Sequence, residues 1–438
     1  LAAAFYFSPW LIVTLLSGLA LFLLILMRLD LGLALAVLVI PFYMLPRELY
    51  ERVFSMAEIV VLMCAVAWLL RIITLAKVQA TSPSQRLKLS ALDWATGAFL
   101  VAAIASLFIA EYEKFALREF RVIVFEPILL YAMLRTTLHS SSDQDRSRLI
   151  WRCVDALMLA GVVVAVVGLV QYAFNINLIT AEAGQHRLRS VYGSPNNVGL
   201  FLGRVLPVMV AVALLGRGTR RWLYGAAVVP VALAIVLSFS KGALLMGVPA
   251  ALVVIGVLAG GRWLWAVVAA IGAGGLAAIP LLRTPRFQSL LDLTSGTSFF
   301  RLNLWQSALL MIREHPILGV GLDNFLYQYR GRYLFPAAWA EPNLSHPHNV
   351  ILDYATRMGL LGLTAGVWLQ MTFWRTALPL RKLDDPLNRA LAIGLMASMA
   401  DFLAHGLVDA SYFVIDLAYV FFITLAVVQA LQIETTAT

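Results

Sequence analysis

Residues 242–259 read GALLMGVPAALVVIGVLA, so a helix formed by this stretch is apolar on every face. Similar runs recur along the 438 residues, of which 61% are hydrophobic and 13% charged, where a soluble chain carries about 25% charged residues. One helical crossing of a bilayer takes about 20 mostly apolar residues. The sequence therefore predicts an all-α polytopic membrane protein. Long apolar runs, in place of short stretches with alternating polarity, exclude a transmembrane β-barrel.

Apolar runs bounded by charged residues or by Gly and Pro predict 12 to 13 spans. The run 121–137 contains Glu126 and Pro127, which favours an interfacial or broken helix over a straight one. The first run is expected to be a span and not a signal peptide. The predicted spans are 9–27, 31–45, 56–76, 92–110, 121–137, 152–174, 197–215, 222–238, 242–259, 263–282, 349–374, 388–405 and 412–431.

Basic residues collect in alternate loops. One set of connectors holds 17 Lys and Arg side chains, and the positive-inside rule makes these connectors cytoplasmic. Much of the net charge of +9 is therefore a topology signal, and we expect no nucleic-acid partner. The opposite set of loops carries the unusual polar sequence and faces outward. It comprises 175–196, the turn around Ser240 and Lys241, the hairpin 406–411 and the long stretch 283–347.

The chain is expected to form one integral-membrane domain in three parts. Residues 1–282 supply the N-terminal and central helices, 283–347 form an outward loop, and 348–438 supply the C-terminal helices. Within the loop, 299–312 predicts an amphipathic helix that lies on the membrane face or packs over the bundle. Its apolar face would carry Phe299, Leu302, Trp305, Leu309 and Ile312.

Several common functional motifs are missing from the sequence. It has no P-loop, dinucleotide fingerprint, finger-type zinc spacing or GxSxG elbow. Cys64 and Cys153 lie in apolar runs, which favours buried packing over thiol chemistry. A secondary transporter should carry ionisable groups at mid-membrane depth, and we find only Arg204, Arg357 and Asp353 as candidates in the span interiors.

Cations lie at two predicted helix starts on the outward side. Arg187 and Arg189 precede a Gly-Ser-Pro-Asn-Asn turn that contains Asn196 and opens a span. Backbone N–H groups and the helix dipole attract anions at such a place, in addition to the guanidinium charge. Lys241 begins another helix, where a cation opposes the dipole. The alternative for all three cations is a side chain that reaches the lipid headgroups.

Residues 345–349 read Ser-His-Pro-His-Asn directly before a span. A histidine has an ordinary pKa of about 6.5 and suits a general base. We expect one of the two histidines, His346 or His348, to act as this base. Asn349 or Asp353 would orient it. The alternative is that the histidines only stabilise the local turn. The two histidines could chelate a metal, but no carboxylate at metal-ligand spacing accompanies them, so no metal site is predicted.

Two further histidines lie in polar outward segments. Residues 315–321 contain His315, Pro316 and two glycines, which is typical of a helix stop followed by a turn. Asp401, His405 and Asp409 follow one another at four-residue spacing, which predicts a polar stripe on one face of a span. That stripe serves either as a seam between helices or as part of a site.

Several cations, one base and little acid suit a diphosphate leaving group. A sugar diphosphate leaves without protonation, but arginines must hold its growing negative charge. The attacking hydroxyl must lose its proton, and a positioned histidine contributes about 10²- to 10⁴-fold in rate.

The motifs also resemble a known family. Arg189 precedes Gly-Ser-Pro-Asn-Asn, and 238–243 read Ser-x-Ser-Lys-Gly-Ala. Further motifs follow: Arg301-x-x-x-Trp305, His315-Pro316-x-x-Gly319-x-Gly321-x-x-x-Phe325, and His346-Pro347-His348-Asn349-x-x-Leu352 with Gly359-x-x-Gly362. Across residues 185–365 this pattern resembles the O-antigen ligase and O-antigen polymerase superfamily.

The resemblance implies a metal-independent, GT-C-like membrane glycosyltransferase with about 12 helices, no cofactor and a site that faces the periplasm from the bacterial inner membrane. It would move a glycan from undecaprenyl diphosphate to an acceptor, with inversion at C1. By position, Arg189 and Arg301 match the diphosphate-binding arginines and His348 matches the catalytic histidine. The expected substrate-binding residues are Lys241, Arg187, His346, Asn349 and Asn196.

The acceptor distinguishes the members of this superfamily. Ligases use lipid A–core oligosaccharide, polymerases use a polyprenyl-linked chain, and O-oligosaccharyltransferases use a protein hydroxyl. The single compact loop before a short HPHN motif favours the ligase, with the polymerase second. A transporter for the same lipid-linked glycan is the alternative from another functional class.

Overall fold

The computed structural model describes residues 1–49, 52–79, 88–180, 184–283, 294 and 296–436. The α-helices in these residues are α1 (Ala2–Phe7), α2 (Leu11–Met27), α3 (Leu29–Val39), α4 (Met56–Gln79), α5 (Ala91–Leu107), α6 (Glu113–Glu119), α7 (Glu126–Ser140), α8 (Asp143–Ala173), α9 (Pro195–Leu215), α10 (Gly218–Ser238), α11 (Val248–Ala259), α12 (Arg262–Leu282), α13 (Gly296–Glu314), α14 (Phe325–Gln328), α15 (Val350–Ala377), α16 (Pro386–Gly406) and α17 (Ile415–Thr436).

Short strands and short 3₁₀ and π-helical segments lie between the α-helices. Two antiparallel ribbons pair β1 (Arg47–Leu49) with β2 (Arg52–Phe54), and β3 (Ile179–Thr180) with β4 (His186–Arg187). The 3₁₀ and π segments are Ile40–Phe42, Phe120–Phe125, Ala243–Gly247, Tyr329–Tyr333, Pro336–Ala338 and Leu378–Lys382. The fold is therefore helical throughout the described residues, with strands only as ribbons of two.

Every predicted apolar run coincides with an apolar helix. Within the described ranges, nine helices are long and apolar enough to cross a membrane. Four shorter apolar helices occupy the remaining runs: Leu11–Met27, Leu29–Phe42, Ala91–Leu107 and Ala243–Ala259. The prediction of an all-α multi-pass membrane protein is confirmed. The number of 12 to 13 crossings stays a prediction.

Local capping signals set several helix starts. The Ser90 side chain accepts from the backbone N–H of Asp93, whose carboxylate accepts in return from the Ser90 N–H, which is a capping box. Ser194 caps α9 and Asp385 caps α16, each followed by proline at the first helical position. These signals fix where the polar turns end and the bundle helices begin.

The run 121–137 belongs to a continuous helix from Glu113 to Ser140 and not to the interfacial or broken helix that was expected. α6 continues into the π-helical turn Phe120–Phe125 and then into α7, where Pro127 stands in the first turn. Proline has no N–H to donate, so the first turn is the position that tolerates it best. Arg121, within this π-helical turn, binds the carboxylate of Glu58 at 2.8 Å.

The bundle has a buried centre and an apolar exterior. α17 is buried on nearly all sides and packs against α7 and α15. α9 packs between α10 and α16, and α16 also contacts α11. At the edge, Trp265 and Leu276 of α12 are exposed. Apolar side chains on the outside of the bundle match a helix surface in contact with lipid.

The stretch 283–347 contains the predicted helix, here α13, but the predicted buried face is partly wrong. Leu302 and Leu309 are 39% and 57% exposed. The side chains that pack inward are instead Leu304, Ser307, Ala308 and Met311. Ser307 donates its hydroxyl to Tyr333 O at 2.6 Å, and Ala308 packs in a cluster with Phe325 and Tyr329. Spacing alone indicates periodicity and not which face meets a neighbour.

α15 is kinked at Gly359, and the segment after α13 fills the kink. Gly359 has φ of 62°, and a Cβ there would lie 2.2 Å from the carbonyl oxygen of Ile317. Leu360 N–H donates to Pro316 O at 2.8 Å, and Val320 N–H donates to Thr356 O at 2.7 Å. The backbone groups that the kink frees are thus satisfied by the predicted turn.

Candidate active site

His348 and Asp409 lie together at the end of the bundle where the polar segments 175–196, 238–242, 345–349 and 406–411 gather. We call this end the polar mouth. His348 Nδ1 lies 2.9 Å from Asp409 Oδ1, although the two residues are 61 positions apart. Asp409 is buried and follows the end of α16, whereas His348 directly precedes the cap of α15. The φ of +50° at His348 is uncommon for a residue with a side chain. The turn therefore directs this imidazole back toward the hairpin 406–411.

The protonation states of this pair follow from their surroundings. Burial lowers the pKa of His348, as do the nearby His346 and Arg301, although Asp409 acts in the opposite direction. Burial alone would raise the pKa of Asp409, but the two histidines hold it well below its usual range. An ionised carboxylate only accepts hydrogen bonds, so the neutral imidazole donates from Nδ1. Its Nε2 then carries a free lone pair, as a general base requires.

His346 completes a cluster of three. Its Nε2 lies 3.8 Å from Asp409 Oδ1, and its ring centroid lies 4.2 Å from that of His348. One ligand atom from each of the three residues lies within 4.8 Å of the others. The sequence contained no carboxylate at metal-ligand spacing from the two histidines. Tertiary structure supplies one from the next helix end.

Asn349 and Asp353 do not orient the histidine, contrary to the expectation. The Asn349 side chain caps α15 by accepting from Ile351 N–H at 3.0 Å and from Leu352 N–H at 3.2 Å. Its amide also donates to Leu407 O at 3.1 Å. Asp353 is buried and binds Arg357. The cap thus ties the start of α15 to the hairpin that carries Asp409, and acts on the histidine only through that hairpin.

Arg301 lies beside the cluster on α13. Trp305, one turn further along, donates from its indole N–H to Pro347 O at 2.8 Å and so fixes α13 against the histidine motif. Arg301 is half-buried, and its Nε has no hydrogen-bond partner. Within the residues that the structure describes, no carboxylate lies within ion-pair distance of Arg301. Its charge is therefore available to a ligand.

Arg187 and Asn196 bind each other. Arg187 is buried, and its guanidinium donates to Asn196 Oδ1 at 2.8 Å and to Ser238 O at 2.9 Å. These bonds join the segment before α9 to the end of α10. Arg187 and Asn196, which were predicted to bind substrate, thus bind each other and connect loops of the polar mouth.

Arg189 is bound by the preceding loop. Its Nε donates to Asn177 O at 3.1 Å, and its Nη2 donates to the side-chain oxygen of the same residue. Both of these acceptors are neutral, and the arginine is half-buried. The charge of Arg189 is thus positioned by Asn177 without being neutralised by it.

Lys241 stands in the turn between α10 and the π segment that leads to α11. The next residue, Gly242, packs on His405: a Cβ there would lie 2.4 Å from the imidazole Cδ2. The Ser-Lys-Gly sequence is thus explained in part by close approach of the turn to α16. Lys241 lies at the rim of this contact.

The predicted stripe of Asp401, His405 and Asp409 divides into two parts. α16 ends at Gly406, so Asp409 lies in the following turn and joins the histidine cluster. Asp401 and His405 stay buried inside the bundle, where Asp401 lies 3.5 Å from Arg204. Four-residue spacing could not show where the helix stops.

The site residues fall into two groups at one end of the bundle. The first contains Arg301 and the histidine cluster, and the second contains Arg187, Arg189, Lys241 and Asn196. Contacts of the turn 238–242 with the start of α9 and the end of α16 join the two groups. Arg301 acts on the base His348, whereas Arg187, Arg189 and Lys241 lie on adjoining segments of the chain. A cation beside a proton acceptor can bind an anion.

Residues 226–366 match the family model described as O-antigen ligase. This match covers about a third of the chain. The resemblance to the O-antigen ligase and polymerase superfamily is thereby confirmed. Comparison with curated proteins finds no match.

The matched residues include Lys241, Arg301 and the histidine motif 345–349. Arg189 and Asp409 lie outside the matched residues, on either side of them. The sequence did not pair Asp409 with His348, although it did place the hairpin 406–411 on the same outward side. Shared sidedness was the only signal for this pair.

Proposed function

We propose that the protein transfers a glycan from undecaprenyl diphosphate to lipid A–core oligosaccharide at the periplasmic face of the bacterial inner membrane. The match to the O-antigen ligase family model supports a ligase or polymerase type of activity. The observation that carries the specific proposal is the His348–Asp409 pair beside Arg301, a guanidinium without a carboxylate partner in the described residues.

In the proposed reaction the acceptor hydroxyl attacks C1 of the donor sugar. His348 Nε2 takes the hydroxyl proton as the new C1–O bond forms, and Asp409 stabilises the resulting imidazolium. The bond between C1 and the diphosphate breaks, and the diphosphate leaves with the electron pair. Attack from the side opposite the leaving group inverts C1.

Arg301 and Arg189 hold the developing charge of the diphosphate. Each presents a permanent positive charge with several donors, which suits phosphate oxygens. Lys241 adds a third cation at the rim, and His346 lies next to the attacking hydroxyl. Arg187, Asn196 and Asn349 are engaged in bonds within the protein, so they shape the binding site by holding its loops.

The lipid A–core acceptor is favoured over a polyprenyl-linked one by the compact outward segment. Residues of this segment form a small core of their own, which includes Leu304, Met311, Phe325 and Tyr329. Leu352 of α15 packs against it, directly after the histidine motif. A rigid wall at this place suits one defined acceptor better than a sliding polymer chain.

The test uses purified protein with a polyprenyl-diphosphate glycan and three acceptors: lipid A–core, polyprenyl-linked repeat units and a peptide with Ser and Thr hydroxyls. Ligated lipid A–core is expected from the wild type, with a loss of about 10²- to 10⁴-fold in His348→Ala. His315→Ala is the matched control, because this exposed histidine lies outside the cluster.

Equal product from His348→Ala would remove the general-base role. Incorporation into polyprenyl chains alone would identify a polymerase. Translocation of labelled lipid with no product in any acceptor arm would identify a transporter and reject the enzymatic proposal.

A further inference from the structure

We propose that His346, His348 and Asp409 form a binding site for a divalent transition-metal ion, Zn²⁺ above all, and that occupation of this site inhibits the enzyme. The binding site follows from the cluster alone. The inhibition rests on the proposed role of His348 as general base.

The cluster has the dimensions of a three-ligand site. In a tetrahedral site with bonds of about 2.0–2.1 Å, two ligand atoms lie about 3.3 Å apart. Asp409 Oδ1 lies 2.9 Å from His348 Nδ1 and 3.8 Å from His346 Nε2, and these distances bracket that spacing. Small rotations of the two imidazoles would bring all three atoms to bonding distance of one ion.

The donor set selects the class of ion. Two imidazoles and one carboxylate suit Zn²⁺ and its neighbours, whereas Mg²⁺ prefers oxygen ligands in octahedral geometry. The positive charge of Arg301 repels a cation at this site and lowers its affinity. Only ions that form strong bonds to the three ligands are therefore expected to bind.

The site is accessible from the polar mouth. The side chains of His346 and His348 are 25% and 20% exposed, while Asp409 is buried beneath them. Three protein ligands leave a fourth position for water, as in open metal sites. An ion can therefore enter without unfolding of the surrounding turns.

Metal binding removes the base through the tautomer of His348. In the free site Nδ1 carries the proton that Asp409 accepts, and Nε2 carries the lone pair. A metal bound to Nδ1 takes the lone pair of that nitrogen, so the proton moves to Nε2. The imidazole then presents an N–H to the acceptor hydroxyl and cannot take its proton.

The binding test uses the full-length protein in detergent and ZnCl₂, with calorimetry and competition against a chromophoric chelator. One tight site per chain is expected in the wild type. His346→Gln should weaken it by more than about 10-fold, the effect that loss of even an outer-shell partner has. Asp409→Asn is the second variant, and His315→Gln is the matched control. Unchanged zinc affinity in both cluster variants would reject the site.

The inhibition test measures glycan transfer at rising Zn²⁺, with each variant normalised to its own metal-free rate. Inhibition should be reversed by EDTA, absent at equal MgCl₂ and shifted in His346→Gln by the factor found in the binding test. Tight binding without inhibition would overturn the inhibitory role. If the wild-type protein transfers no glycan, the proposed function fails, while the binding result still decides the site.

Discussion

Arg301 and Arg357 lie on helices that pack together, α13 and α15, yet they have opposite surroundings. Arg357 is buried, and its guanidinium binds Glu119 at 2.6 Å and Asp353 at 2.8 Å. The ring of Phe413 covers it, 4.7 Å from its central carbon. Two carboxylates and an aromatic face satisfy this cation entirely within the protein.

Arg301 lies at the mouth, and none of the carboxylates in the described ranges pairs with it. This contrast distinguishes two kinds of cation in a membrane bundle: architectural cations, which join helices, and functional cations, which can bind a ligand. A saturated guanidinium joins helices, whereas one with unused donors at an accessible surface is poised for an anion.

The largest effect is expected from Arg357→Gln, on folding. Loss of one partner from a buried ion pair leaves uncompensated charge and costs about 3–5 kcal/mol. We expect a lower melting temperature and a poor yield of monodisperse protein. Arg375→Gln, on an exposed position of the same helix, is the control and should behave as wild type. A stable Arg357→Gln protein would contradict the architectural role.

Arg301→Gln should do the reverse and reduce activity without loss of folded protein. Removal of one donor that stabilises transition-state charge costs about 10²- to 10³-fold in kcat. Arg301→Lys should recover part of the rate, because it restores the charge without the fork of donors. Exposed Arg313 on the same helix gives the control Arg313→Gln. A melting temperature as low as that of Arg357→Gln would place Arg301 with the architectural cations.

Asp409→Asn tests the group that positions the base and should have a smaller effect. The change keeps the side-chain shape but removes the charge that supports the imidazolium. A hydrogen bond to a charged group contributes about 1.5–3 kcal/mol, which corresponds to a loss of about 10- to 150-fold in kcat. KM for the donor should change little. A loss as large as that in His348→Ala would mean that Asp409 takes part in proton transfer directly.

The pH profile carries the smallest effect and shows which charges reach His348. The neutral imidazole is the base, so kcat/KM rises with pH through its pKa. Because burial lowers this pKa, the acidic limb should lie below the ordinary value of 6.5. Arg301→Gln removes a charge that lowers the pKa and should move the limb to higher pH. Asp409→Asn removes one that raises it and should move the limb to lower pH.

A wild-type acidic limb above pH 6.5 would contradict this assignment. So would a limb that stays in place in both variants. Because folded, active protein is needed at each pH, the melting temperature of each variant is measured over the same range.

The outward helix α13 shows what a local pattern can and cannot predict. Its three- to four-residue spacing correctly predicted a helix, because backbone periodicity is a property of the segment itself. The buried face was partly wrong, because it depends on which neighbour the helix meets. Leu309 is exposed and Ala308 is buried, because Ala308 lies on the face that packs with Phe325 and Tyr329.

The candidate site shows the same division. The local sequence was enough to predict the histidine motif, Arg301 and Lys241 as site residues, from their residue types and their positions at helix starts. Asp409 was seen only as one member of a stripe along α16, because its pairing with His348 depends on where that helix ends.

Local sequence is enough to specify the apolar runs, the capped helix starts and the end of the bundle at which polar residues gather. These features depend on composition and on interactions within a few residues. The tertiary structure decided that Asp409 orients His348, that Arg187 joins loops, and that Arg357 is saturated. Such pairings join residues far apart in the chain, and only packing of the helices brings their side chains within hydrogen-bond distance.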